Sequence, residues 1–453
     1  MASAHLSRTF DQVGNRTTWT LSVWIKRTGI GGQQNFFGSF PQSTDYERIM
    51  FNNDKIYIAE VAGGSTNWEC ETSAVYRDTS GWYHLVLRHD TTQATANDRI
   101  RLYMNGVQQT FATNTQPAQN RGTAINTADV HKIGMGNSSE YTDCIMAHFH
   151  WCDGQSYAPT EFGETDSTTG IWKPKTSPSV SYGTNGFFLK FDNSANMGLD
   201  SGGGSHNWTT NGTIIQAKDT PSNVFNTFNP LENYYDNGTF SNANSTYQTN
   251  NSTYSRNTST LGMAKGKYYW EVKVAAVNQQ SDYFPHVGIT STQITGNQDF
   301  VGKFANDYSW GTNSDGSNVK KWNNNQQTAY GTNFAVGDIV GVALDLDNNK
   351  LYFSKNGTFQ ESGDPTSGST GTGAAFTVTA AASTPLGAYF PSVSNYDGTG
   401  NATFQANFGN GYFGTTAVAS AENPDDGNGI FEYDVPAGYR AICTKSINAE
   451  EYS

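Results

Sequence analysis

Glu69-Cys70-Glu71 and Glu432-Tyr433-Asp434 each place two acids on one face if the chain is extended there. Glycoside hydrolysis uses such paired carboxylates, one as acid and the other as base or nucleophile. Both pairs stand beside turn signals, and solvation at the surface accounts for them better. Met146, His148, His150 and Cys152 recur at period two, so two imidazoles and a thiol would share a strand face, which is zinc-ligand chemistry. A half-covered strand face is the simpler reading. Asp192, Asn193 and Asp200 flank a short polar loop, and carboxylates with loop carbonyls are what calcium takes. The alternative is a loop of Asx turns that satisfies its own backbone. No cofactor is expected beyond a calcium ion at that loop. Trp310 and Trp322 bracket the Gly/Asn-rich loop GTNSDGSNVKKWNNN. Ring faces stack on sugars and side-chain amides pair with hydroxyls. Trp322 with Asn323, Asn324 and Asn325 is therefore the ligand-binding candidate, and Trp310 is the member closer to a core position. No G-x-S-x-G, P-loop or H-E-x-x-H occurs, so neither an activated serine nor a phosphate cradle nor a zinc-protease helix is expected.

These residues must be carried by strands. Val340, Val342, Leu344 and Leu346 alternate in GDIVGVALDLDNNKLYFSKNG, Gly337–Gly357, and point to one sheet face. Asp347-Asn348-Asn349 supplies turn chemistry, and Leu351, Tyr352 and Phe353 begin the return strand. Asn356-Gly357 closes it. Trp19, Leu21, Val23 and Ile25 form a similar row. So do Tyr83, Leu85 and Leu87, with His84, Val86 and Arg88 facing the other way. Ile100, Leu102 and Met104 lead into the turn Asn105-Gly106. Ile145, Ala147, Phe149 and Trp151 read as a further inward row, and Tyr268, Trp270, Val272 and Val274 as another. No segment keeps helical apolar spacing over three turns. The chain reads as all-β, with two tandem antiparallel sandwiches at 1–215 and 237–453. The segment 216–236 is a Pro-containing junction, since proline interrupts strand pairing. The polar tract after it fits a flexible linker or a strand pair on the second sandwich equally well.

The net charge of −13 argues against nucleic acid, which needs clustered Lys and Arg. No run of 18 apolar residues occurs, so no membrane insertion is expected. The N-terminal segment has no apolar core of a signal peptide, and the four cysteines are too few and too scattered for a disulfide framework. Synthesis in a reducing cytoplasm is expected. N-x-[ST] triplets at Asn15, Asn137, Asn237, Asn244 and Asn356 are no more than this Asn-, Ser- and Thr-rich composition yields by chance.

The Gly337–Gly357 hairpin resembles the core hairpin of SPRY domains, β-sandwich modules that bind partners through loops and carry no catalytic residues. WTLSVWIK, WYHLVLRHDTT and RIRLYMNG resemble strands of the laminin-G/concanavalin A-like lectin fold, and DSGGGSHNWT (Asp200–Thr209) resembles a turn of that superfamily. That resemblance is what implies calcium at Asp192, Asn193 and Asp200. Glycanases of the superfamily present E-x-D-x-E on a strand, and no such strand occurs here. The order of further motifs, from YGTNGFFLKFDNSA through DTPSNVFNTFNPL and GKYYWEV to PAGYRAICT, is similar to virion proteins of marine tailed bacteriophages. The resemblance implies a non-enzymatic structural protein, assembled in the host cytoplasm and displayed in several copies on the virion surface as a tail-fibre adhesin or capsid decoration. Its partners would be other virion proteins and a host-surface polysaccharide. A polysaccharide depolymerase or its accessory module, and a purely structural connector, are the alternatives.

Overall fold

The computed structural model describes residues 4–137, 140–167, 169–233, 235, 237–250, 254–277, 285–312, 319–395 and 400–452. The chain is nearly all-β and folds as two compact units, Met1–Ala217 and Lys218–Ser453. Each is built from two large antiparallel sheets.

In the first unit one sheet has six strands, with Thr18–Arg27 paired between Cys144–Asp153 and Tyr83–Asp90. The other has eight, and its centre is the meander Gln33–Ser39, Tyr46–Asn52, Lys55–Ala62 and Ser65–Thr72. Leu21, Val23, Leu85 and Leu87 from the first sheet and Ile49, Phe51, Ile56 and Ile58 from the second share one buried core. The apolar rows read from sequence at Trp19–Ile25, Leu85–Leu87 and Ile100–Met104 all face that core.

One row does not. In Cys144–Asp153 the register against Thr18–Arg27 shifts between Ala147 and His150, and His148 has φ +48°. This is a β-bulge, in which one extra residue reverses the side-chain parity. Cys144 and Met146 therefore join Phe149 and Trp151 at the core, while Ile145 and Ala147 do not. The inward row Ile145–Ala147–Phe149–Trp151 is corrected accordingly. A strict period of two cannot hold across an inserted residue.

In the second unit Lys267–Val277 lies between Ala402–Asn407 and Ile339–Asp345, and the latter pairs with Lys350–Lys355. Leu344 sits opposite Leu351 and Val342 opposite Phe353, all fully buried. Asn356 (φ +47°) and Gly357 (φ +80°) turn the chain out of the hairpin. Leu344→Ala is expected to cost about 2–5 kcal/mol through lost transfer energy and the cavity it leaves. Chemical denaturation of the full chain measures this. A loss under about 0.5 kcal/mol would contradict the buried register. The polar tract after the junction supplies strands Thr239–Ser241, Thr246–Gln248 and Ser255–Thr258, so within its described residues it is sheet rather than linker. Phe225 and Phe228 of the Pro-containing segment are buried in the second unit, bridged to Cys443 and Ser259.

Candidate functional site

The aromatic candidates of the second sandwich lie inside it. Trp310 is fully buried, donates its indole N–H to the Tyr330 carbonyl at 3.2 Å, and meets Phe334 edge-on. Trp322 is only 5 % exposed and packs edge-on against Phe300 at 5.6 Å. Neither offers a ring face to a sugar, which corrects the expectation for Trp322. Asn323 donates to the carbonyls of Ala305 and Asp307. Asn324 and Asn325, both at positive φ, turn Lys320–Asn323 into Gln326–Ala329. The asparagine run is turn chemistry, because short polar side chains tolerate left-handed backbone. Residues 313–318 of the same loop lie outside the described residues.

Two of the three calcium candidates, Asn193 and Asp200, are engaged by backbone amides of their own loop. Asp200 Oδ1 accepts from the amides of Phe188 and Gly202, and Oδ2 from that of His206, so this carboxylate holds its own loop. Asn193 Oδ1 accepts from the Ala195 amide, and Asp192 is exposed. Among the described residues no group of three or more His, Cys, Asp or Glu is arranged to hold a metal.

The bulge takes Met146 out of the His/Cys row and into the core, while His148 and His150 stay neighbours with ring centroids 6.3 Å apart. His150 is buried, stacked on Phe188 at 3.9 Å, with Nδ1 2.9 Å from the Tyr182 hydroxyl. Cys152 packs with Val86 and Phe162. On the same outer face His84 lies 2.9 Å from Ser22 Oγ through Nε2. This resembles a nucleophile and its base, but the geometry excludes that. Trp172 donates its indole N–H to His84 Nδ1 at 2.8 Å, so Nε2 carries the proton and donates to the serine. Burial holds His84 down at about 3.

Of the acid pairs, Glu69 and Glu71 do share the outer face of the eight-stranded sheet. Glu69 accepts the Tyr57 hydroxyl at 2.7 Å, and Glu71 binds Asn52 and Lys55. Each carboxylate is thus tied to the sheet beneath it. Glu432 and Asp434 do not lie on a strand; the backbone N–H groups of Glu432 and Tyr433 donate to buried Glu271.

A cavity of about 630 Å³ opens at the rim of the first sandwich. That is within the usual size of ligand sites, roughly 300–1,000 Å³. Its walls are the end of Lys55–Ala62, the loop bearing Pro41 and Asp45, Arg16 just before Thr18–Arg27, and the stretch from Ala118 to Asp129. That last stretch has no apolar alternation and crosses between strands Phe111–Thr115 and Val130–Ile133. Fully buried Ile125 pins it to the core, and Asn120 and Asn126 turn it at positive φ. Its shape is held by polar bonds. Glu47 Oε2 accepts from the Ile125 amide at 2.8 Å, and Arg16 Nε donates to the Thr123 carbonyl at 2.6 Å. Arg121 pairs with Glu60 at 2.6 Å. Burial pushes the Glu47 carboxyl up to about 8, the charge of Glu60 adds to this, and Arg16 opposes it.

Arg16, Arg121, Asp45, Glu60 and Asp129 share the lining with apolar Pro41, Val61, Ala62, Ala118 and Ala124, and no aromatic ring is among them, so the wall offers hydrogen bonds and charge rather than stacking. It contains no nucleophile activated by a base. Sequence reading missed it because Arg16 and Arg121 sit in turn-rich stretches without a motif, more than a hundred residues apart. The one available signal was the unpatterned stretch around Arg121, with Asn120 and Asn126 as turn residues.

Residues 3–154 match the family model described as the concanavalin A-like lectin/glucanases superfamily, and residues 267–411 match that of the SPRY domain. Among solved structures, the SPRY domain of human HERC1 is 17% identical, with 40% of this chain and 96% of that one covered and a TM-score of 0.29. Stonustoxin is 20% identical, with 40% of this chain and 27% of that one covered and a TM-score of 0.27. No curated protein matches the chain. The chain thus carries a concanavalin A/laminin-G-like sandwich followed by a SPRY sandwich.

Proposed function

We propose that this protein is a non-enzymatic component of a tailed-bacteriophage particle, displayed on the particle surface, and that its first sandwich attaches to a host-surface glycan through the rim cavity. The observation that carries the binding role is the cavity itself, a concavity of about 630 Å³ on a lectin-like sandwich with two arginines and three acids in its wall. The virion role draws on the ordered motif series. Among the described residues no helix is long and apolar enough to cross a membrane, which is compatible with this reading. Many copies on one particle would let weak single sites add to a firm attachment.

Purified protein is expected to bind host cells, to be displaced by their isolated surface polysaccharide, and to release no reducing sugar from it. Mass spectrometry of density-purified particles is expected to find the protein in several copies. Sugar release that one carboxylate substitution abolishes would replace the adhesin with a depolymerase. Presence in particles without any binding to cells would leave a structural connector. Abundance in the lysate with absence from particles would end the virion reading.

A further inference from the structure

We infer that the rim cavity selects glycans bearing an oxyanion substituent, a carboxylate or a sulfate, with the Arg16 guanidinium as its recognition group. This rests on the glycan-binding reading above and goes beyond it by naming the ligand class.

The argument is a donor and acceptor inventory of the cavity wall. Arg16 is partly buried and, among the described residues, makes no ion pair with a carboxylate within 4 Å, its charge acting on Glu47 only at longer range. Its Nε and Nη2 are committed to the Thr123 and Gly122 carbonyls at 2.6 and 3.3 Å. Those bonds fix the plane of the guanidinium and leave Nη1 uncommitted. Arg121 is similar. Its Nε and Nη2 both reach Glu60 Oε2, at 2.7 and 2.6 Å, and Nη1 is again uncommitted. The acids of the wall are mostly engaged. Asp45 accepts from the Gly63 amide and the Thr44 hydroxyl, and Glu60 from Arg121 and Asn67. Asp129 is the acid of the wall whose carboxylate makes no such bond.

Two guanidinium edges held in place by other bonds are preorganised donors. A planar guanidinium matches a carboxylate or sulfate better than a lysine ammonium does, because its donors lie in a fixed fork. The chain as a whole carries −13, so long-range steering works against an anionic ligand. Selectivity must then come from contact inside the cavity.

The test is calorimetric titration of the full chain with three probes: a linear tetra-uronate, a neutral tetrasaccharide of the same linkage, and that neutral tetrasaccharide carrying one sulfate ester. At least one anionic probe is expected to bind about tenfold or more tighter than the neutral one, a ratio equivalent to about 1.4 kcal/mol. The uronate and sulfate arms distinguish the two sources of the oxyanion. Arg16→Gln is expected to erase that ratio, so that the anionic and neutral probes bind alike. Arg16→Lys, which keeps the charge without the fork, is expected to fall between. Equal affinity for all three probes would overturn this inference and leave glycan binding standing. Binding of none would overturn both. If Arg16→Gln does not fold, the three-probe comparison on the unaltered chain decides the matter alone.

Discussion

Lowering the pH from about 6.5 to about 5 is expected to destabilise the first sandwich by about 3 kcal/mol. His84, His89 and His131 are fully buried there, and burial lowers each to about 3, against an ordinary value of 6.5. Two of them also accept hydrogen bonds at the nitrogen a proton would need. His84 Nδ1 accepts from Trp172, and His131 Nε2 accepts from the Asn126 amide at 3.1 Å. Below pH 6.5 the unfolded chain binds protons at these positions and the folded chain does not. Stability therefore falls with falling pH through that window. Each group costs up to about 1.4 kcal/mol per pH unit, so the three together remove on the order of 5 kcal/mol by pH 5, of which Glu47 offsets about 2.

Glu47 acts with the opposite sign. Its folded value is raised to about 8 from 4.5, so the stability it contributes is full below 4.5 and is lost as pH rises through 8. The histidines outweigh it below 6.5, and it acts alone above. A maximum near neutral pH follows. Hydrogen exchange read on peptides from the first sandwich, across pH 4.5–8.5 and corrected for intrinsic rates, measures the profile. Glu47→Gln is expected to flatten the alkaline side while keeping an acceptor for the Ile125 amide. A flat profile between pH 5 and 6.5 would show that these histidines titrate normally.

Removing one partner of the Arg256–Asp307 pair is expected to destabilise the second sandwich by about 3–5 kcal/mol. Both side chains are 0 % exposed, and the guanidinium lies 3.1 Å from the carboxylate. Arg256, on the edge strand Ser255–Thr258, reaches across two strands, Phe390–Asn395 and Pro285–Thr290, to Asp307. On the way it binds the Thr290 hydroxyl and the Thr292 carbonyl, and Thr290 in turn donates to Asp307 at 2.6 Å. Asp307→Ala leaves a buried cation and Arg256→Ala a buried carboxylate, and each orphan pays its desolvation in full. Burial already raises the Asp307 carboxyl above its usual value, with Arg256 opposing, so the pair is poised rather than strongly favourable. The double change Arg256→Met with Asp307→Leu is accordingly expected to recover most of the loss. Urea denaturation of the three variants checks this. Additive losses in the double variant would mean the two side chains act independently.

Strand rows and hairpin turns were legible in the sequence because they depend on local geometry. Side chains alternate across a strand, so Trp19–Ile25 and Val340–Leu346 announce their buried faces without knowledge of any partner. Asn105-Gly106 and Asn356-Gly357 are read in the same way, since few other residues tolerate φ above zero. The candidate sites were less legible. Aromatic and amide side chains that would suit a sugar are the same ones that fill a core and make a turn. Trp322 and Asn323–Asn325 do the latter.

An all-β fold of two tandem sandwiches follows from the sequence alone, because alternation and turn residues are properties of short segments; the lectin-like and SPRY-like kinds came from the resemblance of their motifs. The tertiary structure decided three other things. A single extra residue at His148 turned Met146 inward, out of the row that it shares in sequence with His148, His150 and Cys152, and neither bulge nor register is encoded by residue type alone. The indole of Trp172, distant in sequence, chose the tautomer of His84 and removed a base from Ser22. The rim cavity joined Arg16 to Arg121 across more than a hundred residues. Each depends on groups that only folding brings within hydrogen-bond reach.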